Sequence, residues 1–345
     1  MPITQKALAE ELGVAQVTVS RALRQDRGVK ESLRRRILNA AERYGYSIEV
    51  TNQAARLMRQ RAAGVEAKTN IICVIVHDDD DPAGFGGRIL HGMNDEGQAM
   101  GSEIVMVTRC RHAFPLIVSR QQVDGAIRLF GDVELSRVVD MHPVPWVSVF
   151  YEVSGVDLVT VDNFGGARSV GRHLCALGHK RIAFIGPDTD LARDRLAGLR
   201  AAAQEAGAEV PDALVRIRKY VASEGPTREL LESFFCSQPS PLPFTAIVAY
   251  NDYMAELTLQ FLTKKGFRVP EDVSVAGFDG VVPSMYHERR RITSAAIPLE
   301  DVGAAAVRLL EWRLRSPDAP RQKVLIETTL VEGDTAGRPV AAAGQ

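Results

Sequence analysis

Between Gly13 and Leu23 the polar positions are Gln16, Thr18, Ser20 and Arg21: an amide, two hydroxyls and a guanidinium close together. Groups of this kind hydrogen-bond base edges and phosphates, whereas a surface helix without a partner more often carries Glu/Lys pairs. A second set lies far along the chain. Asn251 and Asp252 follow the apolar run Ala246–Tyr250, and Asp279 follows Val273–Phe278. Amides and carboxylates just beyond strand ends suit the donors and acceptors of a polyhydroxylated ligand, although Asp252 equally suits a cap on the helix that follows. Asp78 to Asp81 line up four carboxylates, the ligand type of a hard cation. Consecutive residues rarely converge on one ion, so a solvated loop is the expectation there. No Walker loop, G-x-S-x-G elbow or H-E-x-x-H motif is present, so the sequence points to no enzyme, no cofactor and no metal.

These groups need elements to hold them. Ala7, Leu8 and Leu12 recur at helical spacing, as do Val14, Val19 and Leu23, which predicts two short amphipathic helices. Gly13 turns the chain between them, and Thr4 is placed to cap the first. The shape is a helix-turn-helix, or in the blander reading an ordinary helical hairpin. A third helix is expected over Glu31–Tyr44, with Leu33, Ile37, Leu38, Ala41 and Tyr44 as its apolar stripe and Gly45 as its stop. The cationic stretch from Val50 to Gly64 is helix-compatible but too short to be stable alone, so it is expected to fold on contact.

From Asn70 the pattern changes. Strand-like apolar runs occur at Ile71–Val76, Ile104–Thr108, Gly125–Leu129, Trp146–Val149, Leu158–Val161, Ile182–Ile185, Ala246–Ala249 and Val273–Ala276. Helical stretches such as Ala167–Leu177, Arg195–Ala206 and Met254–Lys265 lie between them. Strands apolar throughout and separated by helices predict parallel sheets covered on both faces, here two doubly wound subdomains. Ligands of such sheets sit at the carboxyl ends of the strands.

The chain of 345 residues has 42 Lys/Arg against 43 Asp/Glu, yet the charge is unevenly placed. Residues 1–61 hold 12 basic and 6 acidic side chains, and the remainder holds 30 and 37. A basic head on an acidic body suggests that the head meets a polyanion. No apolar run approaches the roughly 18 residues of a membrane span, and no secretory signal pattern opens the chain. The four cysteines, Cys73, Cys110, Cys175 and Cys236, form no framework and read as reduced thiols of a cytoplasmic protein.

The stretches L-A-E-E-L-G-V-A-Q-V-T-V-S-R-A-L, A-E-R-Y-G-Y, L-G-H-K-R-I-A-F-I-G, R-L-A-G-L-R-A-A, A-Y-N-D-Y-M-A, G-F-R-V-P-E-D-V-S-V-A-G-F-D and L-V-E-G-D-T occur in this order. Together they resemble the lactose-repressor/galactose-repressor (LacI/GalR) family of bacterial transcriptional regulators over nearly the full length. The resemblance implies an all-α helix-turn-helix headpiece, a hinge helix, and an α/β core like a periplasmic binding protein. The boundaries it suggests are 1–47, 48–66 and 67–337, with a disordered tail over 338–345. Within the core, one subdomain takes about 70–162 plus 293–325 and the other about 163–292 plus 326–337.

By the same resemblance Ala15, Gln16, Val17 and Arg21 read bases, while Thr4, Thr18 and Ser20 contact phosphates. Leu57, or Met58 because the hinge is about two residues longer than the family pattern, wedges into the minor groove. Phe85, Arg195, Tyr220, Asn251 and Asp279 are placed on the effector. His173 and His179 fall in a helix ending that the family uses structurally. Ala15 departs from the usual serine cap. The stretch Thr108–Asp124 is shorter than the usual helix-bearing segment, and Ser148 to Tyr151 replace a strand end where many relatives have Asp. The expected partners are near-palindromic operator DNA, a small-molecule effector of carbohydrate type and a second copy of the chain, with no membrane and no coiled-coil tail for a tetramer. The rivals are a solute receptor without a DNA role, a metal enzyme using the acidic loop, and a regulator sensing a phosphosugar or a protein corepressor.

Overall fold

The protein is described by a computed structural model over residues 5–23, 26, 28–43, 68–77, 84–109, 115–119, 122–129, 144–218, 224–281 and 290–340. Thr4, Leu57, Met58, the rest of the expected hinge, Asp78 to Asp81 and Tyr220 lie outside the described residues.

The head is built from α1 (Gln5–Leu12), α2 (Gln16–Leu23) and α3 (Glu31–Arg43). Leu8, Ala9, Val19, Ala22, Val29, Ile37 and Ala41 are buried together, with Leu12, Val14, Leu23 and Leu33 packed around them. Gly13 has φ +65°, and Val14 N–H donates to Ala9 O at 2.9 Å. That bond from the second residue past α1 back into its last turn is the Schellman stop, which a glycine adopts without strain. Arg36 closes the same end by donating to Leu12 O at 3.0 Å. Ala15, lacking a side-chain cap, starts α2 through its carbonyl, which accepts from Thr18 N at 2.8 Å and Val19 N at 3.3 Å.

The chain divides into two compact units, the head being counted in the first. The first holds residues up to Thr160 and Leu299–Val324, the second Val161–Pro298 and Leu325 onward. The sheet of the first is built on β1 (Ile71–His77), β2 (Glu103–Arg109), β3 (Gly125–Arg128), β4 (Trp146–Val149) and β5 (Asp157–Val161), joined by β11 (Lys323–Ile326) in the order β11-β5-β4-β3-β1-β2. Pairing from β5 through to β2 is parallel throughout. Helices α4 (Phe85–Ala99) and α10 (Leu299–Arg315) cover it, with a one-turn α5 (Leu116–Ser119) in the shortened segment. Gly92 and Gly303 let α4 and α10 touch backbone to backbone, since a β-carbon at either would collide with Glu300 O or Ile89 O.

The second unit contains α6 (Asn163–Leu177), β6 (Ile182–Pro187), α7 (Asp190–Glu205), β7 (Val215–Arg218), α8 (Glu224–Cys236), β8 (Ala246–Ala249), α9 (Asp252–Lys264), β9 (Ser274–Asp279), β10 (Thr293–Ala296) and β12 (Thr329–Val331). Its strand order is β12-β10-β9-β8-β6-β7, parallel except for the antiparallel β10–β12 pair. Every residue of β6, β8 and β9 is buried, which is why these strands read as unbroken apolar runs. His179 belongs to this scaffold. Its Nε2 donates to Gly337 O at 2.9 Å, so Nδ1 accepts from Thr245 Oγ1 at 2.7 Å, and burial pushes its pKa down.

Candidate functional site

Two groups of side chains stand out, one in the second unit and one on the head. Arg195 centres the first. It lies in the second turn of α7, whose first turn is capped by Thr189, and is 5% exposed. Nε donates to Asn163 Oδ1 at 2.8 Å, and Nη1 donates to Tyr250 O at 2.6 Å and to Asp279 Oδ1 at 3.4 Å. The guanidinium also stacks on two rings, 3.7 Å from the centroid of Phe278 and 4.4 Å from that of Tyr250. Arginine's flat, delocalised cation suits such a sandwich, where a lysine would leave gaps. Nη2 donates to no group among the described residues.

The strand ends supply the partners. Asp279 closes β9 at φ +109°, an unusual conformation for a residue with a side chain, and Gly280 follows at φ +69°. Backbone strain of this kind persists only where the surroundings enforce it. Burial raises the Asp279 carboxyl to about 6, with Arg195 opposing. Behind it, Asp252 accepts from Ser294 Oγ at 2.7 Å and from Val281 N at 2.8 Å, and Ser294 Oγ in turn accepts from Gly280 N at 3.1 Å. Burial and the Asp279 charge push Asp252 well above the usual carboxylate range, against the pull of its donors. Asp252 therefore braces the Asp279–Val281 turn. The helix cap is Asn251, whose Oδ1 accepts from Met254 N at 3.0 Å.

The structure thus brings Arg195 and Asp279 into contact and gives Asn251 a structural bond beside them. Sequence reasoning missed Asn163, Tyr250 and Phe278. Asn163 carried a signal, as a polar residue opening a helix right after a buried strand. In the first unit, Phe85 opens α4 and faces Phe150 with ring centroids 5.6 Å apart. Phe150, also missed, follows β4 at φ +68°, with its N–H on Val159 O at 2.8 Å and its carbonyl accepting from Thr160 Oγ1 at 3.3 Å. It lies within the altered Ser148–Tyr151 strand end, which Ser148 Oγ ties by donating to Tyr151 O at 2.6 Å.

On the head, α2 buries Val19 and Ala22 and exposes the other side. Ala15, Gln16, Val17 and Arg21 are all exposed, while Thr18 and Ser20 are half-buried at its flanks. Val17 is 68% exposed, an apolar side chain left in water on the face between an amide and a guanidinium.

Comparisons with known proteins agree on what this assembly is. Residues 4–48 match bacterial regulatory proteins of the lacI family, and residues 172–336 match the periplasmic binding protein-like domain. The chain is 25% identical over 347 residues to the HTH-type transcriptional regulator DegA of Bacillus subtilis (strain 168), covering 96% of this chain and 97% of DegA. It is 28% identical over 345 residues to the HTH-type transcriptional regulator CelR of Thermobifida fusca, covering 95% and 96%. Among solved structures, the complex of the transcriptional regulator CelR with cellobiose aligns with a TM-score of 0.68 at 25% identity, over 96% of this chain and 99% of that one.

A helix-turn-helix head on a periplasmic-binding-protein-like core defines a DNA-binding transcriptional regulator. The chain belongs to the LacI/GalR family of bacterial regulators. The family is one of regulators rather than enzymes. Among the described residues no helix is long and apolar enough to cross a membrane.

Proposed function

We propose that this protein is a cytoplasmic, homodimeric repressor whose two heads read the half-sites of a near-palindromic operator and whose core senses a sugar or sugar derivative. One observation carries the DNA side: the face of α2 that the head leaves in water presents Gln16, Val17 and Arg21 together. In this reading Arg21 forms a bidentate pair with guanine, worth about 1–3 kcal/mol of discrimination. Val17 meets a thymine methyl, Gln16 and Ala15 complete the base-facing set, and Thr4, Thr18 and Ser20 hold phosphates. Leu57 or Met58 wedges the minor groove between the half-sites.

The effector is held against Arg195, with Nη2 as its donor, Asp279 as its acceptor, Asn251 beside them and Tyr220 as an aromatic wall. An uncharged ligand fits best. Arg195 is already balanced by Asp279, and nearby Arg193 by Asp188 and Asp190, each at 2.5 Å. A sugar phosphate would bring its charge beside the Asp279 carboxylate. The cellobiose bound by the related CelR structure makes cellobiose the first ligand to try.

Selection of duplexes from a randomised library, followed by fluorescence anisotropy on the selected sequence over a salt series, tests the reading. The expected result is a near-palindrome whose affinity falls steeply with salt and shifts on adding one member of a sugar panel. An absence of salt-sensitive DNA affinity would remove the regulator reading.

A further inference from the structure

Arg21, the proposed guanine reader, does not lie loose on the head. Its Nε donates to Asp26 Oδ2 at 2.8 Å. The other carboxylate oxygen, Oδ1, accepts from Gly28 N at 2.8 Å, so the carboxylate is pinned by the backbone of its own turn. The turn is tied at both ends. Asp26 N donates to Arg21 O at 3.0 Å, and Val29, whose side chain is in the head core, donates its N–H to Asp26 O at 3.2 Å.

Gly28 completes the arrangement. A β-carbon at this position would collide with Arg21 Nη2 and come within 3.2 Å of Asp26 Oδ1. Gly28 is not among the glycines with positive φ. A side chain at this position would have to push the Arg21 guanidinium out of its place over the turn.

We propose that Asp26 and Gly28 form a seat that positions Arg21 for base reading, which makes Asp26 a specificity-determining residue although it touches no base. The proposal rests on the reading of Arg21 as a base contact. With Nε held by Asp26, the two terminal nitrogens remain as the donor pair for O6 and N7 of guanine. The seat lowers the rotamer freedom that Arg21 would otherwise lose on binding. It also places a negative charge near the phosphates, so Asp26 costs affinity for any DNA while sharpening the choice among sequences.

The test uses the full-length chain, the selected operator, and the same duplex with the guanine read by Arg21 replaced. Discrimination is the ratio of the two affinities at fixed salt. Arg21→Ala is expected to lower it by roughly 5- to 150-fold, the fold equivalent of a lost bidentate pair. Asp26→Ala is expected to lower it about three- to tenfold, part of the up to roughly 30-fold that fixing an arginine's rotamers is worth. Its binding to the replaced duplex should be as tight as wild type or tighter. Gly28→Ala should lose discrimination to a similar extent. Asp26→Asn, which keeps an acceptor oxygen without the charge, should recover most of the discrimination.

Full discrimination in Asp26→Ala and Gly28→Ala, with loss in Arg21→Ala, overturns the seat and leaves the Arg21 reading standing. Full discrimination in Arg21→Ala overturns that reading itself. A further loss when Asp26→Ala is added to Arg21→Ala assigns Asp26 to the fold of the head and equally overturns the seat.

Discussion

Replacing Arg195 by alanine tests the second unit most sharply. The side chain is 6% exposed and its partner Asp279 12%, so the change leaves a buried carboxylate beside a hole. Breaking a buried pair from one side costs about 3–5 kcal/mol. The loss must depend on pH, and its sign follows from Asp279. With Arg195 present, the Asp279 carboxyl stands at about 6 against an ordinary 3.8. A raised carboxyl favours the folded state fully below the ordinary value, and that contribution is lost as pH rises through about 6. The full span corresponds to about 3 kcal/mol. Arg195 holds the carboxyl down, so its removal raises it further. Arg195→Ala should therefore be far more costly at pH 8 than at pH 5, where Asp279 can take up a proton. Adding Asp279→Asn should recover about 2–3 kcal/mol at pH 8 and little at pH 5, the coupling expected of two groups in contact. Urea unfolding by circular dichroism, with hydrogen exchange of β9 peptides as a local reading, measures both. Equal losses at the two pH values, or no recovery in the double variant, would refute the reasoning.

Val17→Ala should leave urea stability within about 0.5 kcal/mol, as for most exposed positions, while changing the base preferred at one operator position in a repeated library selection. Gly303→Ala drives a β-carbon into Ile89 O and should destabilise the first unit by about 1–3 kcal/mol or more, read as a lower urea midpoint by Trp fluorescence, since both Trp146 and Trp312 lie there. Buried, neutral His179 has a lowered pKa, so its contribution is full above the ordinary 6.5 and is lost as pH falls toward and through the folded value. Replacing His179 by asparagine should flatten that part of the pH–stability curve, and an unchanged curve would count against the neutral assignment.

Some elements were legible because their physics is local. β1, β3, β4, β6, β8 and β9 are buried and mainly apolar, so they show as strand-like runs even where Ser148 or Ser274 interrupts them. β10 was hidden because Thr293 and Ser294 make up its buried first half, with their hydroxyls bonded to Gly333 N and Asp252 Oδ1. β7, reading V-R-I-R, and β12, three residues long, are edge strands whose half-exposed pattern resembles loop. The helix starts were drawn too late. A helix over Arg195–Ala206 would make Arg195 its first residue, whereas Thr189 caps α7 and carries Arg195 into the second turn. The same error at α6 concealed Asn163, the residue that fixes Arg195 Nε. Site composition was therefore readable where residues lay just beyond strand ends. It was unreadable where a partner arrived from an element beginning a few residues earlier than its apolar stripe.

The position of the Arg195 network along the chain also bears on how a signal leaves it. The chain passes between the units at 160–161, 298–299 and 324–325. Asn163, bonded to Arg195, stands three residues from the first passage. Ile297 donates its N–H to Asp279 O at 3.0 Å, two residues before the second. The third is approached through a segment fixed in the first unit, where Asp157 pairs with Arg313 at 2.6 Å and accepts from Gln322 N at 2.8 Å. In the proposed reading, a ligand drawing on Arg195 and Asp279 would act within three residues of two of these passages. Proximity alone transmits nothing. The ligand shifts the equilibrium only by the difference in its affinity for the two states, and a hundredfold difference is worth about 2.7 kcal/mol. One or two hydrogen bonds to the guanidinium, made in one state and absent in the other, are of that size. In the proposed reading Arg195 Nη2 would supply one of them.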